Sequence, residues 1–193
     1  MSKPESEARQ RILQVAEKHF MQRGYAVVRL REIAEELDLK HTAIYYHFKS
    51  KEALFMEVME QSLLRHQTEM EAAIADAGTD LREQLRAVTR WLMDNPPLNF
   101  MHLVNSDFAE LGEANARYLS DLAFKCLRQP LEDALTSAQE RGVVELRDPG
   151  LASIMFVSLV EMVHAFRMPE IASHKTVIVD NMIEMMLNGW LKR

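Results

Sequence analysis

Across residues 12–190 the apolar side chains recur at spacings of three and four, and only a few positions interrupt them. That period lines one face of an α-helix, whereas the period-2 alternation of a half-buried strand is found in no convincing stretch. Ile12, Val15, Ala16 and Phe20, with His19 beside it, mark a first helix, which Arg23-Gly24 stops. Leu30, Ile33, Ala34 and Leu37 mark a second, and a third short helix runs from about Lys40 or His41 to His47. Ser50 is placed to cap a long fourth helix, with Glu52 in its first turn, continuing to about Ile74. After Ala77-Gly78, Thr79 or Asp80 starts a fifth that reaches Met93, and Asn95-Pro96-Pro97 breaks it. A sixth covers part of 100–111, and a seventh runs from about 114 to 140, with Pro130 a candidate kink and Arg141-Gly142 its end. Asp148-Pro149 pairs a capping Asp with Pro at the first helical position, opening an eighth helix to about Arg167 that is apolar on nearly every side. A ninth runs from about His174 to Lys192. The expectation is an all-α chain.

Composition narrows the class. With 193 residues, 48% apolar and 27% charged, the chain can bury a substantial core and is globular. The lone Cys126 excludes an intramolecular disulfide and any multi-thiolate metal site, and favours a reducing compartment. Residues 1–10 are polar with no apolar signal region, and the longest apolar run, 154–160, is too short to span a bilayer. A cytoplasmic protein without a membrane partner is expected. The net charge of −6 argues superficially against nucleic acid, but its distribution argues for it. Residues 1–51 carry ten Lys/Arg against seven Asp/Glu, and segment 40–51 has three Lys, two His and no acid. The local field governs what a surface attracts.

Three short helices in the first fifty residues suggest a helix-turn-helix, whose second helix reads base edges in the major groove. Ile44 and Phe48, four apart, can anchor the inner face of that helix. Lys40, His41 and Thr42 stand at its N-terminal end, where such a helix approaches bases, while Tyr45, His47 and Lys51 offer donors to phosphates. An aromatic packing patch is the alternative reading of Tyr45-Tyr46-His47-Phe48, and its position after the Ile33-Ala34 helix and beside lysines argues against it.

Arg23-Gly24-Tyr25, then Leu30-Arg31-Glu32-Ile33-Ala34-Glu35-Glu36-Leu37, then the run from Ala43 to Phe55 with Tyr45-Tyr46-His47-Phe48-Lys49-Ser50-Lys51 at its centre, resembles the TetR family of bacterial repressors over roughly residues 9–56. The resemblance implies an Ω-shaped homodimer: three N-terminal helices on DNA, a fourth linking the domains, and the last two in a dimer bundle. It implies base reading by Lys40, His41 and Thr42, contacts to backbone or thymine methyls by Tyr45, Tyr46, His47 and Lys51, and a second-helix contact by Arg31. The family commonly has Ser or Thr where Arg29 and Lys40 stand, Gly where Asp38 stands, and Gly or Pro where Thr42 stands; these departures weaken the expected helix caps. The expected organisation is a helix-turn-helix DNA-binding domain over 1–52 and a helical ligand-sensing and dimerisation domain over 53–193.

Beyond the head, large pliable side chains crowd residues 90–167, as a cavity lining or an ordinary core would require. Candidate ligand contacts are Trp91, Phe100, His102, Phe108, Phe124, Met155, Glu161, Met162 and His164; His102, Glu161 and His164 stand out because a buried polar group needs a partner. Glu161 and His164 have the Glu-x-x-His spacing of di-iron bundles, but no second copy of that motif occurs, so neither metal nor cofactor is expected. Val177, Ile178, Met182, Met185, Met186 and Trp190 form a stripe which, with the apolar eighth helix, exceeds what a monomer should expose; a two-fold helical interface follows. No nucleophile elbow, Gly-rich phosphate loop or HExxH pattern supports an enzyme. The function expected is a repressor that leaves a palindromic operator duplex when a small, largely apolar effector binds. Two alternatives remain: a DNA-binding regulator without a ligand, and, of another class, a helical enzyme using the C-terminal pocket.

Overall fold

The computed structural model describes residues 3–94, 106–165 and 174–190. Among them are eight α-helices: α1 Lys3–Arg23, α2 Leu30–Glu36, α3 His41–His47, α4 Lys51–Asp76, α5 Leu81–Asp94, α6 Glu113–Glu140, α7 Pro149–Ala165 and α8 Lys175–Trp190. The chain is all-α, as the apolar periodicity requires. Where a sixth helix was expected, the described part is π-helical backbone at 106–107 followed by a short 3-10 turn, Phe108–Glu110. The remainder of 100–111 down to residue 105 lies outside the described residues, and the last three helices follow as α6 to α8.

Local chemistry sets the helix ends. Ser50 Oγ accepts the Ala53 N–H at 3.0 Å, Asp80 Oδ1 the Arg82 N–H at 2.9 Å, and Asp148 Oδ1 the Leu151 N–H at 2.9 Å. Each such cap contributes about 1 kcal/mol by satisfying an orphan donor of the first turn. At the C-termini of α1, α4 and α6 the chain leaves through Gly24, Gly78 and Gly142, with φ of +78°, +74° and +73°, a region closed to most side chains. Asp38 takes φ +56° after α2, at the position where a Gly was expected, and Asp is one of the few other residues to tolerate that backbone.

The chain divides into two compact units. One comprises residues 1–65 and 100–123, the other 66–99 and 124–193, so neither is continuous in sequence. In the first, Ile12, Ala16 and Phe20 of α1 are buried with Leu30, Ile33 and Ala34 of α2, Ile44 and Phe48 after it, and Leu54 and Phe55 of α4. In the second, Leu85, Val88 and Leu92 of α5, Leu131 and Leu135 of α6, Phe156 and Val160 of α7 and Ile183 and Leu187 of α8 form one buried cluster. Ion pairs tie α5 to α8 on the flank of that cluster: Arg82 donates to Glu184 at 2.6 and 3.0 Å, and Arg86 donates to Asp180 at 3.3 Å and to Glu83 at 2.7 Å.

Candidate nucleic-acid interface

The short α3 sorts its residues by face. Ile44 is fully buried and Phe48, at its C-cap, is 3% exposed, so the two side chains four apart fix the helix on the core. The opposite face is left to solvent: Lys40, His41 and Thr42 are exposed, as are Tyr45 at 48% and Tyr46 at 74%. Two large aromatics thus stand at the surface of one seven-residue helix. His41 packs edge-on against Tyr45 at 5.0 Å and Tyr46 against His47 at 5.1 Å, which orders the row without hiding it. No side chain caps α3 at Lys40, as that departure from the family pattern led one to expect.

At the N-terminus of α2, too, the residue at the cap, Arg29, makes no side-chain cap. The Glu32 carboxylate accepts the Arg29 N–H at 3.3 Å and two hydrogen bonds from Arg23, at 2.8 and 3.2 Å. Hydrogen bonding from Arg23 holds the Glu32 carboxyl below its usual range. Glu32 therefore supplies only the reciprocal half of a capping box, satisfying the N–H of the N-cap residue, while the exposed Arg29 side chain caps no first-turn donor. Arg31 is also exposed and pairs with Glu35 at 2.8 Å, one turn along α2.

Lys51 occupies a seam. Its Nζ lies 4.4 Å from the centroid of the Tyr25 ring and donates to the Ala26 carbonyl at 3.3 Å, joining the N-terminus of α4 to the turn between α1 and α2. Partial burial pushes its amine pKa down. Arg9, over the Phe48 ring at 4.8 Å, pairs with Glu57 and ties the start of α1 to α4.

Sequence reasoning missed the segment that follows residue 105. Asp107, 3% exposed, accepts the Tyr25 N–H at 2.8 Å. Its Oδ1 would lie 3.0 Å from a Cβ at position 24, so the Gly there serves both the backbone conformation and this approach. Phe108 meets Phe55 edge-on at 6.4 Å, and Phe55 in turn packs on Phe20 and Tyr25. Glu52 accepts the Gly112 N–H at 3.1 Å and the Asn115 amide at 2.8 Å, and these hydrogen bonds, Asn115 first, keep its carboxyl pKa low. Residues 107–115 are thus strapped to the helix-turn-helix by a carboxylate at each end and an aromatic in the middle. The only sequence signal was the polar Asp107 beside Phe108, which points equally well to a surface turn.

The candidate ligand contacts are dispersed. Phe108 belongs to this strap. Trp91 is half-buried, its Nε1 donating to Glu69 at 3.3 Å and its ring edge-on to His66. Phe124 is 40% exposed beneath the Arg128 guanidinium, 3.9 Å from its ring. Met155 and Met162 face outward on α7 with Leu151 and Ile154. Glu161 is half-buried on the same helix, and burial pushes its carboxyl up to about 7. Phe100, His102 and the His164 side chain lie outside the described residues. Of the two clefts described, one between α5 and α8 and one at the start of α6, neither includes any of these residues. No helix among the described residues is long and apolar enough to cross a membrane.

An all-helical chain whose three-helix head buries the inside of a short helix and exposes its polar and aromatic outside is a helix-turn-helix protein. Residues 12–58 match the family model described as bacterial regulatory proteins, tetR family. Over those residues the chain is similar to that family. Among curated relatives it is similar to the HTH-type transcriptional regulator AcrR of Shigella flexneri, 46% identical over 56 residues, which are 29% of this chain and 26% of that protein. The match spans only about a quarter of that relative, and lies where the head lies. Among solved structures, a putative transcriptional regulator from Saccharomonospora viridis in complex with choline superposes with a TM-score of 0.72 at 22% identity, covering 97% of this chain and 100% of that one. The transcriptional regulator FadR from Bacillus subtilis, in complex with stearoyl-CoA, gives 0.70 at 18% identity over 92% and 96%. At such identities these likenesses concern the fold.

Proposed function

We propose that this chain is a DNA-binding transcriptional regulator that acts as a homodimer on a palindromic operator and is released by a small effector. The observation that carries the reading is the outer face of α3, where Lys40, His41, Thr42, Tyr45 and Tyr46 stand exposed on a helix pinned from behind by Ile44 and Phe48. Lys40, His41 and Thr42 would read bases, and Tyr45, Tyr46, His47, Arg31 and Lys51 would hold backbone or thymine methyls. Arg31 must leave Glu35 and Lys51 must leave Ala26 to do so; both contacts are partly solvated and cheap to exchange.

Dimerisation rests on α7 and α8. Leu151, Ile154, Met155 and Met162 on one helix, and Val177 and Met185 on the other, are exposed apolar side chains that a second copy would cover. A two-fold dimer sets recognition helices about 34–36 Å apart, or a multiple of it, which a palindrome matches. The strap at 107–115 and helix α4 are the parts through which an effector would act, because each touches the head and continues into the rest of the chain. A ligand releases DNA only by its differential affinity for two conformations. The choline and stearoyl-CoA complexes of the two similar structures support a sensing role while pointing to no common ligand. A regulator without a small ligand shares every DNA residue and remains the second reading.

Selection of genomic fragments by the purified chain, followed by mobility shifts, tests the proposal. A palindromic fragment should be preferred over bulk DNA, with log K falling by about 0.9 per neutralised phosphate for each unit of log salt. Binding without sequence preference, or indifferent to salt, would overturn it.

A further inference from the structure

Helices α5 and α8 run antiparallel along an arginine ladder. Arg82 meets Glu184, and one turn on Arg86 meets Asp180. The next rung is Arg90, four residues further, and four residues back along α8 from Asp180 stands Thr176, flanked by Lys175 and Val177. The third arginine therefore finds no carboxylate on the facing helix. It is exposed and has no ion pair among the described residues, nor has Asp94, one turn beyond it on the same face. Between the two helices a cleft of about 430 Å³ runs from the Glu83–Arg86–Asp180 rung to Arg90, Met93 and Asp94. Thr89 lines it too, and its enclosed hydroxyl has no partner.

From this geometry we infer that the α5–α8 cleft binds a free amino acid with an apolar side chain, its carboxylate on Arg90 and its ammonium on Asp94. The volume is of the size that holds a small molecule. The charges of Arg86 are already met by Glu83 and Asp180, so the cleft offers a ligand one guanidinium and one carboxylate, about a helical turn apart. A simple carboxylate leaves Asp94 unmet and repelled; a simple amine does the same at Arg90. A zwitterion whose two charges share one carbon satisfies both. Val179 and Ile183, almost fully buried, and Met93 give the side chain an apolar floor. The bound carboxylate becomes the ladder's missing rung and joins α5 to α8 at the level where the chain itself does not.

Calorimetric titration of the full chain with L-leucine and L-phenylalanine tests this, with 4-methylpentanoate and 3-methylbutylamine as the forms of leucine lacking one charge each. Saturable binding of at least one amino acid below about 10 mM is expected, weakened about tenfold or more when either charge is removed from the ligand. Arg90→Gln and Asp94→Asn should each produce a similar loss, and both should fold normally because neither side chain has an ion pair to lose among the described residues. Absence of saturable binding by both amino acids, binding unchanged in Arg90→Gln, or 4-methylpentanoate binding as tightly as leucine would each overturn the assignment. The titration needs no DNA, so its result is independent of the regulatory reading.

Discussion

Asp38 shows how a departure from a family pattern is absorbed by one residue. Its φ of +56° is the conformation for which relatives commonly use Gly, and a left-handed non-glycine backbone costs roughly 1–2 kcal/mol. Asp38→Gly should stabilise the head by about 0.5–1 kcal/mol after the larger unfolded-state entropy of Gly is deducted, read as a higher urea midpoint at unchanged slope. Glu161 carries a cost of the opposite kind. Burial raises its folded-state carboxyl from 4.5 to about 7, so between those values the folded chain binds the proton that the unfolded chain has released. Stability must then fall as pH rises from 4.5 towards 7, and stay level above. Glu161→Gln should remove that fall and gain about 1–2 kcal/mol at pH 8, allowing for partial solvent screening. Urea midpoints of both proteins across pH check it; parallel curves would show Glu161 to be solvated. Neither effect could be read from the sequence in full. Asp38 was visible as a departure but not as a conformation, and Glu161 was visible as a polar residue in an apolar helix but not as one buried enough to hold its proton.

At the scale of elements, sequence was most informative where a helix begins or ends, because those signals are local. Ser50, Asp80 and Asp148 cap the helices they precede, and Gly24, Gly78 and Gly142 end the helices they follow. Helix α3 was legible for the same reason: its pattern of buried Ile44 and exposed neighbours lies within one seven-residue element. What escaped was carried by pairs far apart in the chain. Tyr25 and Asp107 are 82 residues apart, and Arg82 and Glu184 are 102 apart. No periodicity encodes such meetings; they arise only when helices have been stacked. Lys51, proposed as a phosphate donor from the sequence, sits as a clasp over Tyr25 that the sequence did not signal. Its substitution should thus do two things. Lys51→Ala is expected to weaken all DNA sequences alike, to reduce the salt slope by about 0.9, and to lower thermal stability slightly. His41→Ala should leave stability unchanged and relax base preference instead. Competition binding against a randomised operator library separates the two, and a change in base preference confined to Lys51→Ala would show the register of α3 to be misassigned.

For the whole molecule, the exposed stripes settle which residue best tests assembly. Met182 lies on the sequence stripe, yet it packs against the core of its own chain, whereas Met185 is 75% exposed. Met185→Glu should therefore leave the monomer folded, with a far-ultraviolet dichroism spectrum like the parent's, while light scattering reports a monomer at micromolar concentration and operator binding is lost. A dimer of unchanged mass would place the interface elsewhere. The strap bears on how such a protein can be dismantled or recombined. Because Asp107, Phe108 and the Gly112–Asn115 turn complete the surroundings of Tyr25, Phe55 and Glu52, the head is assembled from two stretches of chain, 1–65 and 100–123, separated by residues 66–99. A single cut after the third helix does not yield a self-sufficient cassette. Joining this head to a different C-terminal part would leave a buried carboxylate's partner and an aromatic face without cover, unless the new part brings a matching strap. Recombination of this head is constrained less by α3 than by this second, inconspicuous stretch, which must travel with the head or be rebuilt to fit it.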